Sequence, residues 1–396
     1  MIGLGISGQA AAAWLLSQGF FVFAVDKKAK DLRALPSVIS LLEKGLILYS
    51  EEEPISFASI SLALISPGIS LRHPLVQQAL VHGIEVIGEV EFALRHLRNR
   101  CVGITGTNGK TTTTLLTAHL LQSSGLAARA LGNVGFPLSS YLFEARDDEI
   151  LVLELSSFQL ETMQTRSLLG AAILNITPDH LDRYDSMQQY VDAKMRIASC
   201  LINEENFFVS SQAYSWTKKG HILDASSSEN VQAAFRLSSL FGVTSSECTR
   251  ALSTFKKPPH RIEWVAEKRG SVYYNDSKAT NVEAVLHAVN SLPGPLVILI
   301  GGLDKGAPYT PWIASFRDKV KMLVAFGQAA FTMESQLASS LPFCRAATLA
   351  EALQLASKYA EGGASVLLSP GCSSYDQFRN YEHRGDEFKR LVREMV

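Results

Sequence analysis

Seven consecutive residues, Thr105-Gly106-Thr107-Asn108-Gly109-Lys110-Thr111, combine two glycines, an ammonium group and three hydroxyls. An apolar run, CVGIT, leads into them, and a helical pattern, TTTTLLTAHLL, follows. Such a junction suits a phosphate, because successive backbone N–H groups form an anion cradle that the positive helix end reinforces. Lys110 has the charge to neutralise β- and γ-phosphates, and Thr111 has a hydroxyl for Mg²⁺. Gly106, Thr107, Asn108, Gly109 and Thr112 complete the expected ATP-binding stretch. Strict G-x-x-x-x-G-K-[ST] spacing is not met, since Ile104 stands where the first glycine belongs. The alternative is a Gly/Thr-rich turn capping a helix. Strand, Gly-Lys-Thr and helix in direct succession favour the nucleotide.

Carboxylates that could complete a metal–phosphate centre follow. In ILVLELSSFQLE, Glu154 sits near the end of an apolar strand, where a second Mg²⁺ ligand belongs if that strand neighbours the phosphate-loop strand. The bland alternative is an exposed charge at a strand end. The segment AAILNITPDHLDRY brings Asn175, Asp179, His180 and Asp182 to another strand end. A lone histidine is as readily structural as functional, and both readings of His180 stand. Lys194 lies in a helical pattern, MQQYVDAKMRIAS, and by spacing alone reads as a solvated lysine.

A second glycine pattern opens the chain. Gly3-Leu4-Gly5-Ile6-Ser7-Gly8 is a G-x-G-x-x-G, with Asp26 closing the next apolar run, FFVFAVD. Gly3 and Gly5 allow a tight turn near a diphosphate, and Gly8 allows a helix to pack closely on its strand. Taken alone it points to a nicotinamide cofactor. Only Met1 and Ile2 precede it, so the strand that should carry it is nearly missing. Either translation begins further upstream or the domain tolerates a truncated first strand.

These loops need strands and helices to hold them. Eight apolar runs read as strands: FFVFAVD, SLALISPGI, CVGITG, ILVLELS, AAILNIT, LVILIGG, KMLVAFG and SVLLSPG. They alternate with helical patterns, which predicts α/β architecture with parallel sheets and ligands at the strands' carboxyl ends. A length of 396 residues suits two or three domains at ~150 residues each. The segment HGIEVIGEVEF closes a first α/β set ahead of a basic helix, ALRHLRNR, and STFKKPPHR reads as a hinge. DASSSE reads as a surface loop.

With 47% apolar residues there is material for packed cores, and a net charge of −1 gives no reason to expect nucleic acid or an anionic membrane. The five cysteines (101, 200, 248, 344 and 372) show no C-x-x-C pair and read as reduced thiols. No signal peptide or membrane span is legible, and a cytoplasmic protein is expected.

TGTNGKTTT, LELSSFQLE, NITPDHLDRY, PPHRIE, YNDSKATN, GGLDKG and LSPGCSSYDQFRNYEHRGDEF run in order along the chain. Together they resemble the Mur ligases of peptidoglycan precursor synthesis. ELSSFQL, NDSKATN and GGLDKG are most similar to the branch that adds D-glutamate, rather than L-alanine, a diamino acid or a dipeptide. The resemblance implies three domains: a Rossmann-like UDP-sugar domain (1–89), a central P-loop ATPase domain with a mostly parallel sheet (90–257), and a Rossmann-like C-terminal α/β domain for the amino acid (258–396). It implies that UDP-N-acetylmuramoyl-L-alanine is activated by ATP as an acyl phosphate, which D-glutamate then attacks. A monomer is expected.

By position in the family motifs, Thr111 and Glu154 are implied as ligands of one of two Mg²⁺ ions, with His180 beside the second. Lys194 matches a lysine that becomes carbamylated, which reverses its solvated reading. Lys110, His180 and Lys194 are the implied catalytic set. Asn230 matches an adenine contact, and Ser227 stands where a second asparagine is usual. Arg261, with His260 as neighbour, and Lys278 are implied at ATP phosphates, and Asp276 at the ribose. Thr280, Lys305, Ser374 and Tyr381 fall at D-glutamate positions. Tyr381 replaces a more usual Phe and brings a hydroxyl that needs a partner. Ile6, Ser7, Asp26, Lys27 and Asn133 are implied at the UDP substrate, which takes the opening glycines away from NAD. Taken singly, Arg261 and Lys305 could be ordinary exposed charges, and YNDSKATN a capped turn before a helix at 281–291. Competing readings are another ligase on this scaffold, including a folate-polyglutamylating type, a nicotinamide oxidoreductase, and a P-loop switch module.

Overall fold

The computed structural model describes residues 1–181, 183–224 and 228–395. The chain forms two compact units, Met1–Ile176 with Ser186–Lys256, and Thr177–Asp185 with Lys257–Val396. Segment 177–185 therefore packs with chain that follows it only after a long interval.

The first unit holds two sheets. In the N-terminal one, Phe23–Val25 pairs in parallel with Ile47–Tyr49, and Leu62–Ile65 with Glu85–Gly88. Ile2 bridges Val25 on one side and Ile65 on the other. Its N–H donates to Leu64 O at 2.8 Å, and its carbonyl accepts from Ser66 N at 3.0 Å. The strand scarcely legible in the sequence thus exists as one central rung that joins two ribbons. Packing follows from the next turn. A Cβ on Gly8 would lie 2.5 Å from Gly3 O, so only glycine lets the helix Ile6–Ser17 sit this close to its strand.

The central sheet is entirely parallel, in the order His221–Ile222, Phe207–Val209, Leu168–Ile173, Cys101–Thr105, Ile150–Glu154, Ala128–Gly132. Its strands Cys101–Thr105 and Ile150–Glu154 are buried along their whole length, which is why they read as unbroken apolar runs rather than alternating ones. Val102, Ile104, Val152 and Ala172 pack with Leu121 and Leu237 of the covering helices. Glu91, fully buried, fastens the helix Glu89–Leu94 to this sheet's domain by accepting from Gln164 N (2.8 Å) and Thr165 N (3.0 Å).

In the second unit the order is Glu263–Lys268, Ser271–Asn275, Ser365–Gly371, Leu296–Gly301, Val320–Phe326, Phe343–Arg345. Only the first pair is antiparallel.

Each of the eight expected strands is present. The basic helix expected at ALRHLRNR is not. The helix there is Glu89–Leu94, and Arg95 instead turns back to Glu85 (2.7 Å) and Glu91 (2.8 Å). Beyond Leu94 only Leu97 is apolar, among Arg95, His96, Arg98 and Arg100, which is too little apolar face to hold a further turn. Most of DASSSE (225–227), including Ser227, and Asp182 lie outside the described residues. Among the described residues no helix is long and apolar enough to cross a membrane.

Candidate active site

The phosphate loop joins the strand Cys101–Thr105 to the helix Lys110–Ser123. Gly109 caps that helix at φ 83°, and a Cβ there would stand 2.8 Å from Asn230 Oδ1. Asn230, in the helix Glu229–Ser239, thus lies against the loop although it is remote in sequence. Asn175 holds the loop from the neighbouring strand end: its Oδ1 accepts from Asn108 N (2.7 Å), its Nδ2 donates to Asn108 O (3.1 Å), and its carbonyl accepts from Thr107 N (2.8 Å). Thr111 is buried and Thr112 half-buried in the first helical turn.

Two lysines converge on this loop. Lys110 Nζ donates to Gly106 O and Thr107 O, both at 2.9 Å, and Lys194 Nζ donates to the same Gly106 O at 2.9 Å. Lys194 is 1% exposed, so the solvated reading from spacing is wrong. Its helix, Met187–Ser199, buries Tyr190, Val191, Lys194 and Ile197 on one face, and the lysine belongs to that face. Its ammonium lies 4.6 Å from the Tyr190 ring centroid, and Tyr190 OH is 3.2 Å from Thr107 Oγ1. Tyr190 was missed in the sequence, although it stands one turn before Lys194 on the same face.

Glu154 pairs in register with Ile104 of the phosphate-loop strand and is 2% exposed, not a solvated strand-end charge. Asn133 Nδ2 donates to its Oε1 at 2.8 Å, and Asn133 N to its carbonyl at 2.9 Å. Oε2 is buried with no hydrogen-bond partner among the described residues. Mg²⁺ usually takes one or two carboxylates and completes its shell with phosphate oxygens and water. An orphaned carboxylate oxygen, with Thr111 in the first turn of the helix after the loop, fits that demand. Among the described residues no three His, Cys, Asp or Glu side chains gather as a self-sufficient metal site.

At the N-terminal glycines, Asp26 accepts from Leu4 N and Lys28 N, both at 2.8 Å, and so fixes the turn itself. The helix after it begins without a side-chain cap. Ser7 lies in its first turn, and Ile6 and Lys27 are exposed beside it. These residues form their own group.

The second unit gathers another. Its loops leave the carboxyl ends of Leu296–Gly301 and Ser365–Gly371, where the sheet order reverses, and such a switch point is where open α/β sheets bind ligands. Lys305 is on the first loop and buried Ser374 on the second, and Leu303 N joins them by donating to Ser373 O at 2.9 Å. Tyr381 opens the helix Tyr381–Glu394, and its extra hydroxyl accepts from Lys278 Nζ at 3.0 Å. Thr280 is half-buried just before Asn281, which caps the helix Val282–Ser291, so YNDSKATN is a capped turn as well as a site candidate.

Asp179, expected only as one of a polar cluster at its strand end, is the centre of this group. Its carboxylate accepts from Lys305 Nζ (3.1 Å), Asn281 Nδ2 (3.2 Å) and His180 N (2.9 Å). Burial alone would raise its pKa, but the Lys305 ammonium, the His180 ring and these hydrogen bonds hold it down at about 2. His180 adopts φ 56°, and His260 and Ile262 adopt 62° and 45°; left-handed backbone at non-glycine residues is a strain characteristic of functional sites. Arg261, between the latter two, is half-buried, and its Nε has no partner among the described residues. Asp276 is buried, with Ser369 Oγ (2.8 Å) and Ile262 N (3.2 Å) donating to it, and burial raises its pKa to about 7.

Comparisons with known proteins agree along the chain. Family models match in order: the Mur ligase MurD-like N-terminal domain over residues 1–88, the Mur ligase middle domain over 104–244, and the Mur ligase glutamate ligase domain over 260–372. The UDP-N-acetylmuramoylalanine–D-glutamate ligase of Protochlamydia amoebophila is 40% identical over 430 residues, covering 99% of this chain and 97% of its own. Its counterpart in Chlamydia caviae is 38% identical, covering 100% and 97%. Among solved structures, the UDP-N-acetylmuramate–alanine ligase MurC of Thermotoga maritima shares the fold at TM-score 0.60 and 15% identity, over 99% of this chain and 98% of that one. A pseudomurein peptide ligase from Methanothermus fervidus does so at 0.58 and 17%, over 100% and 99%. With all three family segments in sequence and relatives this similar end to end, the chain belongs to the Mur ligases, a family of ATP-dependent, Mg²⁺-using enzymes.

Proposed function

We propose that this chain is a cytoplasmic, monomeric enzyme that joins D-glutamate to the L-alanyl carboxylate of UDP-N-acetylmuramoyl-L-alanine, with ATP converted to ADP and phosphate. The observation that carries the reading is the phosphate loop, with Lys110 at the start of its helix and Glu154, one of whose carboxylate oxygens is orphaned, on the strand paired with the loop's own. The names of the relatives support the choice of amino acid and sugar nucleotide.

A carboxylate resists attack by an amine, being anionic and lacking a leaving group. Transfer of the γ-phosphoryl group to it releases ADP and gives an acyl phosphate. The amine of D-glutamate adds to that carbonyl, loses a proton, and phosphate departs. The first step brings anions together, so fixed cations are its main requirement. Lys110 and the N–H groups of residues 109–112 at the helix start are assigned to the phosphates, and Asn230 to adenine by motif position. Thr111 and Glu154 would hold one Mg²⁺; His180 and Lys194, as a carbamate, are assigned to a second by motif position. Bound Mg²⁺ supplies charge neutralisation at the transferring phosphoryl group.

Arg261, Asp276 and Lys278 are assigned to ATP from the second unit. Lys305 serves as a point charge for a D-glutamate carboxylate, with Thr280, Ser374 and Tyr381 lining the same site. Ile6, Ser7, Asp26, Lys27 and Asn133 are assigned to the sugar nucleotide, for which the uncapped helix start offers phosphate donors.

The test is phosphate release from ATP and UDP-N-acetylmuramoyl-L-alanine with D-glutamate, L-glutamate or D-aspartate. Release with D-glutamate alone is expected. Equal rates with all three, or none with D-glutamate, would remove the assignment. Intact mass of the active enzyme, with and without bicarbonate, reports on the Lys194 carbamate.

A further inference from the structure

Tyr309 is 2% exposed and belongs to the core, its ring centroid 5.1 Å from that of Trp312. Trp312 is itself fixed by Nε1 donating to Val282 O at 2.9 Å. The tyrosine hydroxyl therefore stands on a rigid base, and it reaches two loops at once. It donates to Asp304 Oδ1 at 2.7 Å, and it lies 3.0 Å from Cys372 Sγ. The same Asp304 oxygen accepts from Gly306 N at 3.1 Å, so Asp304 closes a turn around Lys305.

The proton inventory of this chain closes. Burial pushes the Cys372 thiol up to about 12 and drives the Tyr309 phenol higher still, with Cys372 and Asp304 adding to it. Both groups remain protonated at any working pH. The thiol has one proton to give and the carboxylate can only accept, so the direction is fixed: S–H to phenol oxygen, phenol O–H to carboxylate.

We infer that Tyr309 is a positioning residue of the amino-acid site: its hydroxyl fastens the Asp304–Gly306 turn to the loop bearing Cys372 and Ser374, and so fixes where Lys305 presents its ammonium. The inference rests on the reading of Lys305 as the partner of a D-glutamate carboxylate. Neither Tyr309 nor Asp304 is assigned to the substrate; each acts through the lysine between Asp304 and Gly306.

The test is a cycle of Tyr309→Phe, Asp304→Ala and the double variant in the full chain. Phenylalanine keeps the ring and its packing, and Asp304 is half-exposed, so folding is retained. A hydrogen bond to a charged acceptor is at stake, and KM for D-glutamate should rise about tenfold in Tyr309→Phe. KM for ATP and for UDP-N-acetylmuramoyl-L-alanine should stay unchanged. The double variant should be no worse than Asp304→Ala, because the hydroxyl acts through that carboxylate. NMR of ¹³Cε-labelled lysine, with no substrate present, should show Lys305 losing order in Tyr309→Phe. An equal rise in all three KM values, fully additive effects, or an unchanged Lys305 signal would overturn the inference. Wild-type enzyme inactive with D-glutamate would overturn the amino-acid reading instead, and the lysine signal would still judge the positioning.

Discussion

Asp179 lends itself to a quantitative test. Its carboxyl is held at about 2 against an ordinary 3.8, while only 6% of the residue is exposed. At about 1.4 kcal/mol per pKa unit, that depression corresponds to roughly 2–3 kcal/mol of folding stability. Because the folded pKa is the lower one, the contribution is complete above pH 3.8 and is lost as pH falls through 2. Asp179→Asn keeps the shape and removes the charge that Lys305 faces at 3.1 Å. Denaturant unfolding of both proteins should show a gap of about 2–3 kcal/mol near neutral pH, flat down to about pH 4.5 and closing below it. A gap under about 0.5 kcal/mol at neutral pH would mean that the pair contributes no more than an exposed ion pair. A gap that did not change with pH would show that the cost comes from packing and not from ionisation.

Two further outcomes are expected. Gly109→Ala forces a Cβ against Asn230 at φ 83° and should raise KM for ATP at least tenfold, with a stability loss of about 1–3 kcal/mol in calorimetry. Asp276, whose pKa is raised to about 7, should cost folding stability as pH climbs from about 4 to 7, because the folded state keeps its proton longer than the unfolded chain. Asp276→Asn should therefore gain on wild type across that range, and a gain independent of pH would contradict the burial argument.

The phosphate loop was legible because its chemistry is local: strand, glycines, lysine and helix are contiguous, and the structure needs all of them in that order. Glu154 was legible for a related reason, since parallel neighbours in an α/β sheet bring their carboxyl ends to one edge. Lys194 was misread from spacing because a lysine is expected in water, although it shares the buried face of its helix with Tyr190, Val191 and Ile197, and only the resemblance gave it a task. Asp179 and Tyr309 were invisible as site organisers for a different reason. Their partners, Lys305 and Cys372, lie far along the chain, and no local period records a contact made across loops. The single rung at Ile2 could not be read as a strand at all, since one residue carries no alternation.

The excursion 177–185 has a consequence for anyone who cuts or recombines this chain. A gene fragment beginning at Lys257 would encode the second sheet intact yet omit Asp179, and with it the carboxylate on which Lys305 closes. Chimeras that exchange the amino-acid domain between family members at a single junction would pair one parent's Lys305 with the other parent's excursion. Recombination libraries should therefore treat 177–185 and the chain after Lys256 as one inherited block. Crossovers at 176, 185 and 256 together should yield active hybrids more often than a crossover at 256 alone.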